Sequence, residues 1–439
     1  MNKSKKGFIS MTLVYTFLVI FLFLMLAILN TYLQKDKFME AIDDQIDEDI
    51  ANSQGIRATA ISKILEENTP YSMDKYYSFN ISNMICDTGD TECTSSNIKD
   101  YSNGNGLFYS DDIKFTDENS DGSSNRIYFF RGKTESNHLV FANMCWRIIR
   151  TTEDGGIRIM YNGPFDGSKC KTLDQNISAV ESGNPSPRSI GNVQFNSEDS
   201  EELYLGYVYS TTGETLTSDD QNPQSLVKRV LENWYRDNIL DVTNGSTQTS
   251  YANSVAPSIY CNDRTYSSKD IIPSFIDNSD HNIYKTDNIT NKTSLVCSGQ
   301  KDSGSGLYLR DDRFNVVGDI NGNGLMMYPI GLITAEEVAI AGGYLTSDSD
   351  LYKGGLYGMK NRGYHMYTKT NYWTMSPFEY AYDESEARYI AKGIYVDSAG
   401  TMRGASVKNS YDIIPVITLK SNIIIRRGSG SSDNPFMVR

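Results

Sequence analysis

Histidine is almost missing from this 439-residue chain: His138, His281 and His365 stand far apart. No C-x-x-C occurs either, so a zinc site or a thioredoxin-like redox pair has no basis in the sequence, and no metal ligands are expected. H-E-x-x-H, G-x-S-x-G and G-x-x-x-x-G-K-[ST] are all lacking, and no serine, histidine and acid are grouped by local spacing. Catalytic residues and cofactors are therefore not expected, and the chain reads as a non-enzyme. Basic clusters are scarce as well. Outside the N-terminus the longest is Arg426-Arg427, and the formal charge is −14. A surface of that sign repels a phosphate backbone, which excludes nucleic acid as an expected partner.

Long apolar runs are limited to one. Phe8 to Leu29 is 22 residues without a charge. As a helix it reaches roughly 33 Å, against a hydrocarbon core of about 30 Å. Lys3, Lys5 and Lys6 precede it, whereas Lys35 and Lys37 beyond it are diluted by Asp36 and acidic sequence. The positive-inside bias puts the N-terminus in the cytoplasm and everything after residue 33 outside the cell, with the lipid bilayer as a partner. Asn30-Thr31-Tyr32-Leu33 offers no small-x-small cleavage site, so the segment is expected to stay as a single-pass anchor in the cell membrane. Residues 34–67 hold no proline and one glycine, with Phe38, Ile42, Ile46, Ile50, Ile61, Ile64 and Leu65 at helical spacing. The helix is expected to run outward as a stalk and to stop at Asn68-Thr69-Pro70.

The expected organisation is a basic cytoplasmic leader (1–7), a transmembrane helix (8–33), a helical stalk (34–69), a loop-rich connection (70–125) and a surface domain (126–439). Six cysteines, Cys86, Cys93, Cys145, Cys170, Cys261 and Cys297, lie beyond the apolar run, an even count suited to an oxidising compartment. Six allow fifteen pairings. Their order suggests the local pairs Cys86 with Cys93, Cys145 with Cys170 and Cys261 with Cys297, which the sequence alone does not prove. Beyond Pro70 short alternating runs dominate. Trp146–Arg150, the turn Glu153-Asp154-Gly155-Gly156 and Ile157–Met160 read as a hairpin. Ser225–Ile239, with Leu226, Val230, Leu231 and Trp234 on one face, and Thr334–Ala341 read as helices. Ile390–Val396 and Ile413–Leu419 read as strands, the glycine-serine run from Gly428 as a flexible turn, and Pro435–Val438 as a last edge strand. The fold class expected is α+β: a long N-terminal transmembrane and stalk helix followed by a disulfide-bearing mixed α+β ectodomain.

Two segments imitate the start of a calcium loop, Asp117-x-Asn119-x-Asp121-Gly122 and Asp319-x-Asn321-x-Asn323-Gly324. Position twelve holds Tyr128 in one and Ile330 in the other instead of an acid, and tight turns use the same residues, so turns are the preferred reading. Glu336-Glu337 on a helix reads as solvated surface charge rather than an acid/base pair. Trp146, Trp234 and Trp373 sit in apolar patterns and read first as core. Tyrosine gives rigid apolar area plus a hydroxyl. Tyr364, Tyr367, Tyr372, Tyr380 and Tyr382 are therefore contact candidates, and Tyr372, Trp373, Tyr380 and Tyr382 form the candidate ligand-binding set.

Lys5-Lys6-Gly7-Phe8-Ile9-Ser10-Met11-Thr12-Leu13 resembles the class III signal of type IV pilins and pseudopilins. The resemblance implies cleavage after Gly7, methylation of Phe8, and a prepilin peptidase and other pilin-like proteins as partners. Thr12 stands where that family usually has glutamate, which with the size of the chain implies a filament tip rather than a repeating shaft. Cys145–Arg150, Cys261–Arg264, Tyr328–Glu337, Tyr372–Pro377 and Pro415–Leu419 resemble segments of surface proteins of Gram-positive gut bacteria that have no established activity. Trp373-Thr374-Met375-Ser376-Pro377 and the closing strand are also similar to C-type-lectin-like folds, which include the formylglycine-generating enzymes. These resemblances imply a pilin-like surface protein that displays a ligand-binding or filament-tip domain. The alternatives are a stand-alone adhesin or receptor and an extracellular enzyme.

Overall fold

The computed structural model describes residues 59–72, 106–110, 126–152, 155–207, 225–244, 247–258, 260–261, 266–267, 270–271, 313–314, 327–343 and 363–438. The chain divides into two units, 1–58 and 59–439, and all described residues belong to the second. In chain order, β1 (Tyr71–Ser72), β2 (Gly106–Ser110), β3 (Ile127–Arg131), β4 (His138–Phe141), β5 (Met144–Thr151) and β6 (Ile157–Pro164) enter a mixed sheet. A second sheet is built by β7 (Asn192–Gln194), β8 (Tyr372–Asp383), β9 (Arg388–Val396), β10 (Met402–Ser406) and β11 (Ser410–Asp412). The chain then returns to the first with β12 (Val416–Leu419), β13 (Ile425–Arg427) and β14 (Phe436–Val438). The helices are α1 (Ala60–Glu67), α2 (Leu173–Glu181), α3 (Leu226–Tyr235) and α4 (Ala335–Ile340).

β5 is the axis of the first sheet. One edge pairs along its length with β6, and β12 follows on β6. The other edge is divided: β4 takes its first half, with Leu139 opposite Trp146, and β3 meets its end at Phe129 and Arg150. From β4 the sheet continues to β14 and β13, from β3 to β2 and β1. The second sheet has the order β10-β9-β8-β11-β7. Alternation is lost on β5 and β6 because both faces are covered: Cys145, Trp146, Arg147, Ile148 and Ile149 are all buried. The β5–β6 hairpin matches its expected position, with Gly155 N–H donating to Thr152 O at 3.0 Å across the turn.

The fold class expected from the sequence is corrected. The described residues are mostly sheet, and their longest α-helix, α3, has ten residues. A helix of that length spans about 15 Å. Among the described residues no helix is long and apolar enough to cross a membrane. The single-pass placement in the cell membrane, with a cytoplasmic N-terminus and an outer C-terminal domain, therefore does not stand on this structure. The expected span at 8–33, and Gly7 and Phe8 with it, lie outside the described residues. The stalk is corrected where it is seen: Thr59 is extended (ψ 157°), and its side chain accepts the Ser62 N–H as the N-cap of α1. Such a cap starts a new helix and interrupts any helix arriving from upstream. α1 buries Ala60 and Ile64 in the main core and ends at Asn68, the expected stop. Of the 70–125 stretch, residues 70–72 and 106–110 are described, and β1 and β2 within them extend the first sheet through β3.

Three smaller expectations change. α3 starts at its Ser225 cap, but its buried stripe is Val227, Leu231 and Tyr235, one residue around from the expected one, and Trp234 is half-buried. β14 is no edge strand, since it lies between β4 and β13. The glycine-serine run is a packed turn: Gly430 O accepts the His138 N–H at 2.8 Å, and a Cβ on Gly430 (φ 81°) would sit 2.3 Å from Ser136 O.

Cys145 and Cys170 form a disulfide with Cα atoms 5.7 Å apart, buried against Val140. Cys86, Cys93 and Cys297 lie outside the described residues, as does the side chain of Cys261. The bridge ties β5 to the segment leading into α2 across 25 residues. Replacing both cysteines by alanine is expected to cost about 3 kcal/mol in urea unfolding. Equal midpoints for the oxidised protein and the double variant would show that the bridge contributes nothing.

Candidate functional site

The candidate residues part company according to burial. Tyr372 and Trp373 open β8 and are fully buried. Trp373 Nε1–H donates to Val193 O at 3.1 Å, and its ring packs against Phe195, Tyr395 and Tyr411. Tyr372, Tyr364 and Tyr367 are buried too, and their hydroxyls donate to the carbonyls of Met366, Gly400 and Ser398. None of these presents a surface to a ligand. Tyr380 and Tyr382 lie farther along β8, two residues apart and so on one face of the strand. Tyr380 is half-buried, while Tyr382 is 54% exposed.

The β8–β9 hairpin adds a residue that the sequence reading missed. Register pairs Tyr382 with Tyr389, which is 51% exposed. The Tyr389 ring stands edge-on to Tyr382 with centroids 5.5 Å apart, and its centroid also lies 5.5 Å from that of Tyr380. Folding the turn over Asp383–Arg388 would have brought Tyr389 opposite Tyr382, which is the signal available in the sequence.

Polar contacts fix this aromatic face. Asp383 Oδ1 accepts the N–H groups of Ser385 and Glu386, closing the turn. Arg388 grips Asp199 with two hydrogen bonds of 2.8 and 3.2 Å, and Ser406 Oγ–H donates to Asp199 at 2.7 Å. Burial pushes the Asp199 carboxyl up, but the bonds from Arg388 and Ser406 outweigh it and hold the group below its ordinary value. Tyr380 Oη–H donates to Ser200 O at 2.8 Å, and Ala391 N–H to Asp199 O at the same distance. The hairpin is thus stapled to the 199–200 segment, which leaves two tyrosine rings outward with little freedom to lose on binding.

Glu336 and Glu337 are not the solvated surface pair expected. Both are buried. Glu337 Oε1 accepts from Arg150 Nε at 2.8 Å and pairs with Arg158 as an ion contact off the line of a directed hydrogen bond. Its Oε2 accepts Thr334 N–H while Thr334 Oγ1 accepts Glu337 N–H, a reciprocal cap at the start of α4. Thr334-x-x-Glu337 was visible in the sequence as that cap. Burial raises the Glu337 carboxyl, but Arg158 and Arg150 together hold it below its ordinary value. A carboxylate so occupied has no free oxygen for proton transfer, and its role is structural. The two calcium-loop segments lie outside the described residues, and no potential metal-ligand group of three occurs among the described ones.

No known protein family, characterised protein or solved structure matches the chain.

Glu337→Gln is expected to destabilise the fold by about 3–5 kcal/mol, because it removes the carboxylate charge that faces the buried Arg158 and the half-buried Arg150. Glu181→Gln breaks the exposed Lys369 pair and is expected to cost under about 1 kcal/mol. Urea midpoints of the two variants check the contrast, and equal losses would contradict it.

Proposed function

We propose that the domain is a non-catalytic recognition module that binds neutral glycans with the tyrosine face of the β8–β9 hairpin. The observation that carries this reading is the exposed, mutually packed pair Tyr382 and Tyr389 on a stapled hairpin. Two large side chains that burial would stabilise by about 1.5–3 kcal/mol each are instead kept in water. The other exposed large apolar side chains among the described residues, Tyr71, Met327 and Ile424, lie on separate elements. Tyrosine rings stack on the C–H faces of sugars, and their hydroxyls reach sugar hydroxyls. The formal charge of −14, with Glu384 and Glu386 at the hairpin tip, favours a neutral over an anionic partner. Display by a pilin-like protein, alone or at a filament tip, belongs to the same proposal and rests on Lys5–Leu13.

A glycan array probed with the full chain is expected to return neutral glycans. Tyr382→Ala and Tyr389→Ala are each expected to weaken that binding about tenfold, roughly 1.4 kcal/mol, with Tm unchanged. Trp373→Ala is expected to destabilise the fold by about 3–5 kcal/mol. Undiminished glycan binding by the double tyrosine variant would remove the hairpin from the site.

A further inference from the structure

Two of the three histidines converge in the core. His138 opens β4 directly opposite Arg147 on β5. Arg147 Nη1 meets His138 Nε2 at 2.5 Å and donates to Glu135 Oε2 at 3.0 Å, and its Nη2 donates to Thr134 O. Glu135 Oε2 is 2.7 Å from the same imidazole nitrogen. His365 comes from the segment 363–370 that leads into β8. Its backbone N–H donates to Gly132 O at 2.9 Å, and its carbonyl, with that of Tyr367, accepts from Arg188 Nη1 at 3.0 and 3.2 Å. His138, His365, Arg147 and Arg188 are at most 1% exposed.

The charges around the imidazoles are lopsided. Arg147 and Arg188 face both, and among the described residues Glu135 is the carboxylate that faces them. The Tyr364 and Tyr372 hydroxyls face Arg188, and the outer Lys133–Asp174 pair lies on the exposed side. Neither ring nitrogen of His365 has a hydrogen bond of ordinary geometry, although the Gly132 carbonyl faces the ring. His138 Nδ1 is likewise unpartnered. An added proton on either ring would be a third buried cation against a single anion.

The same residues join the two sheets. Gly132 follows β3 and Arg147 lies on β5, whereas Tyr364 and Tyr367 hold the β9–β10 turn through Gly400 and Ser398. We propose that this cluster is an acid-sensitive joint: proton uptake by His365 and His138 releases segment 363–370 from the Gly132 turn and loosens one sheet from the other.

Burial and the neighbouring Arg147 push His138 down from 6.5 to about 4, and burial with Arg147 and Arg188 pushes His365 well below its ordinary range. A base whose folded pKa is lowered stabilises the fold above its unfolded pKa. That stability is lost as pH falls from about 6.5 towards 4.

Hydrogen exchange of the full chain between pH 7 and 4.5, corrected for intrinsic rates, tests the proposal. Protection of residues 363–370 is expected to fall about tenfold or more while β6 and β12 keep theirs. In the His138→Gln/His365→Gln variant the selective fall is expected to vanish. Uniform loss across the chain, no loss, or the same selective loss in the variant would overturn the proposal. Should the variant not fold, the comparison of segment 363–370 with β6 and β12 in the unaltered protein decides alone.

Discussion

The carboxylate of Glu337 is the constraint on which the two-sheet arrangement depends. It draws α4 onto Arg150 of β5 and Arg158 of β6, so the segment entering α4 must cross the end of the first sheet. On that path Gly331 exchanges backbone bonds with Val416 of β12, at 3.1 and 2.9 Å. A Cβ at Gly331 would lie 2.4 Å from the Tyr260 ring, so the approach needs glycine. The same segment then reaches the second sheet. Met375 N–H donates to Ile333 O at 2.7 Å and Ala335 N–H to Ser376 Oγ at 2.9 Å. Tyr260 completes the corner, with its ring under the Arg158 guanidinium at 4.4 Å and its hydroxyl shared between the carbonyls of Pro329 and Val416. Buried ions are poor sources of net stability but strict about geometry. The triad therefore acts mainly by fixing where the chain passes.

Tyrosine does in this core what water does elsewhere. The chain has 30 tyrosines, enough to make the residue a poor marker of surface contact. Tyr207, Tyr260, Tyr364, Tyr367 and Tyr372 all donate to backbone carbonyls. A buried carbonyl left alone costs free energy, and a tyrosine hydroxyl supplies the donor while its ring fills volume. The tyrosines at the outer end of β8 and on β9 have no such task, apart from the Tyr380 hydroxyl on Ser200. Their exposure is therefore informative in a way that tyrosine content is not.

What the sequence revealed was local. The β5–β6 hairpin, the Ser225 start of α3, the stop at Asn68 and the body of β9 follow from turn chemistry, capping and alternation within a few residues. The misreadings were decisions made by partners distant in the chain. Phe38 to Leu65 suggested one continuous helix, but Thr59 caps a new one whose Ala60 N–H reaches Ile423 O at 3.3 Å. Pro435–Val438 looked like an edge because its neighbours β4 and β13 are set by tertiary pairing. Glu336-Glu337 looked solvated because nothing nearby announces Arg150 and Arg158. The site was half legible: Tyr380 and Tyr382 stood out as tyrosines. Tyr389 required the hairpin register, and the Asp199–Arg388 staple joins residues 189 positions apart.

The two buried ionic groups share one electrostatic character. Arg150 and Arg158 meet Glu337. Arg147 meets Glu135, while Arg188, held by the carbonyls of His365 and Tyr367, feels that carboxylate at longer range. Each group thus sets two guanidiniums against one carboxylate, and both draw on β5. The chain as a whole carries −14. The guanidiniums of both groups also lean on backbone carbonyls, and Arg158 on the Tyr260 ring. At neutral pH the chain's net negative charge partly offsets the local excess at these two groups over distances comparable with the Debye length. Acid neutralises carboxylates and leaves the guanidiniums, so the cluster around His138 and His365 loses counterfield at the pH at which its imidazoles are asked to take up protons. The net negative charge of the chain and the two arginine-rich groups that draw on β5 are in this sense one design, whose balance belongs to neutral pH.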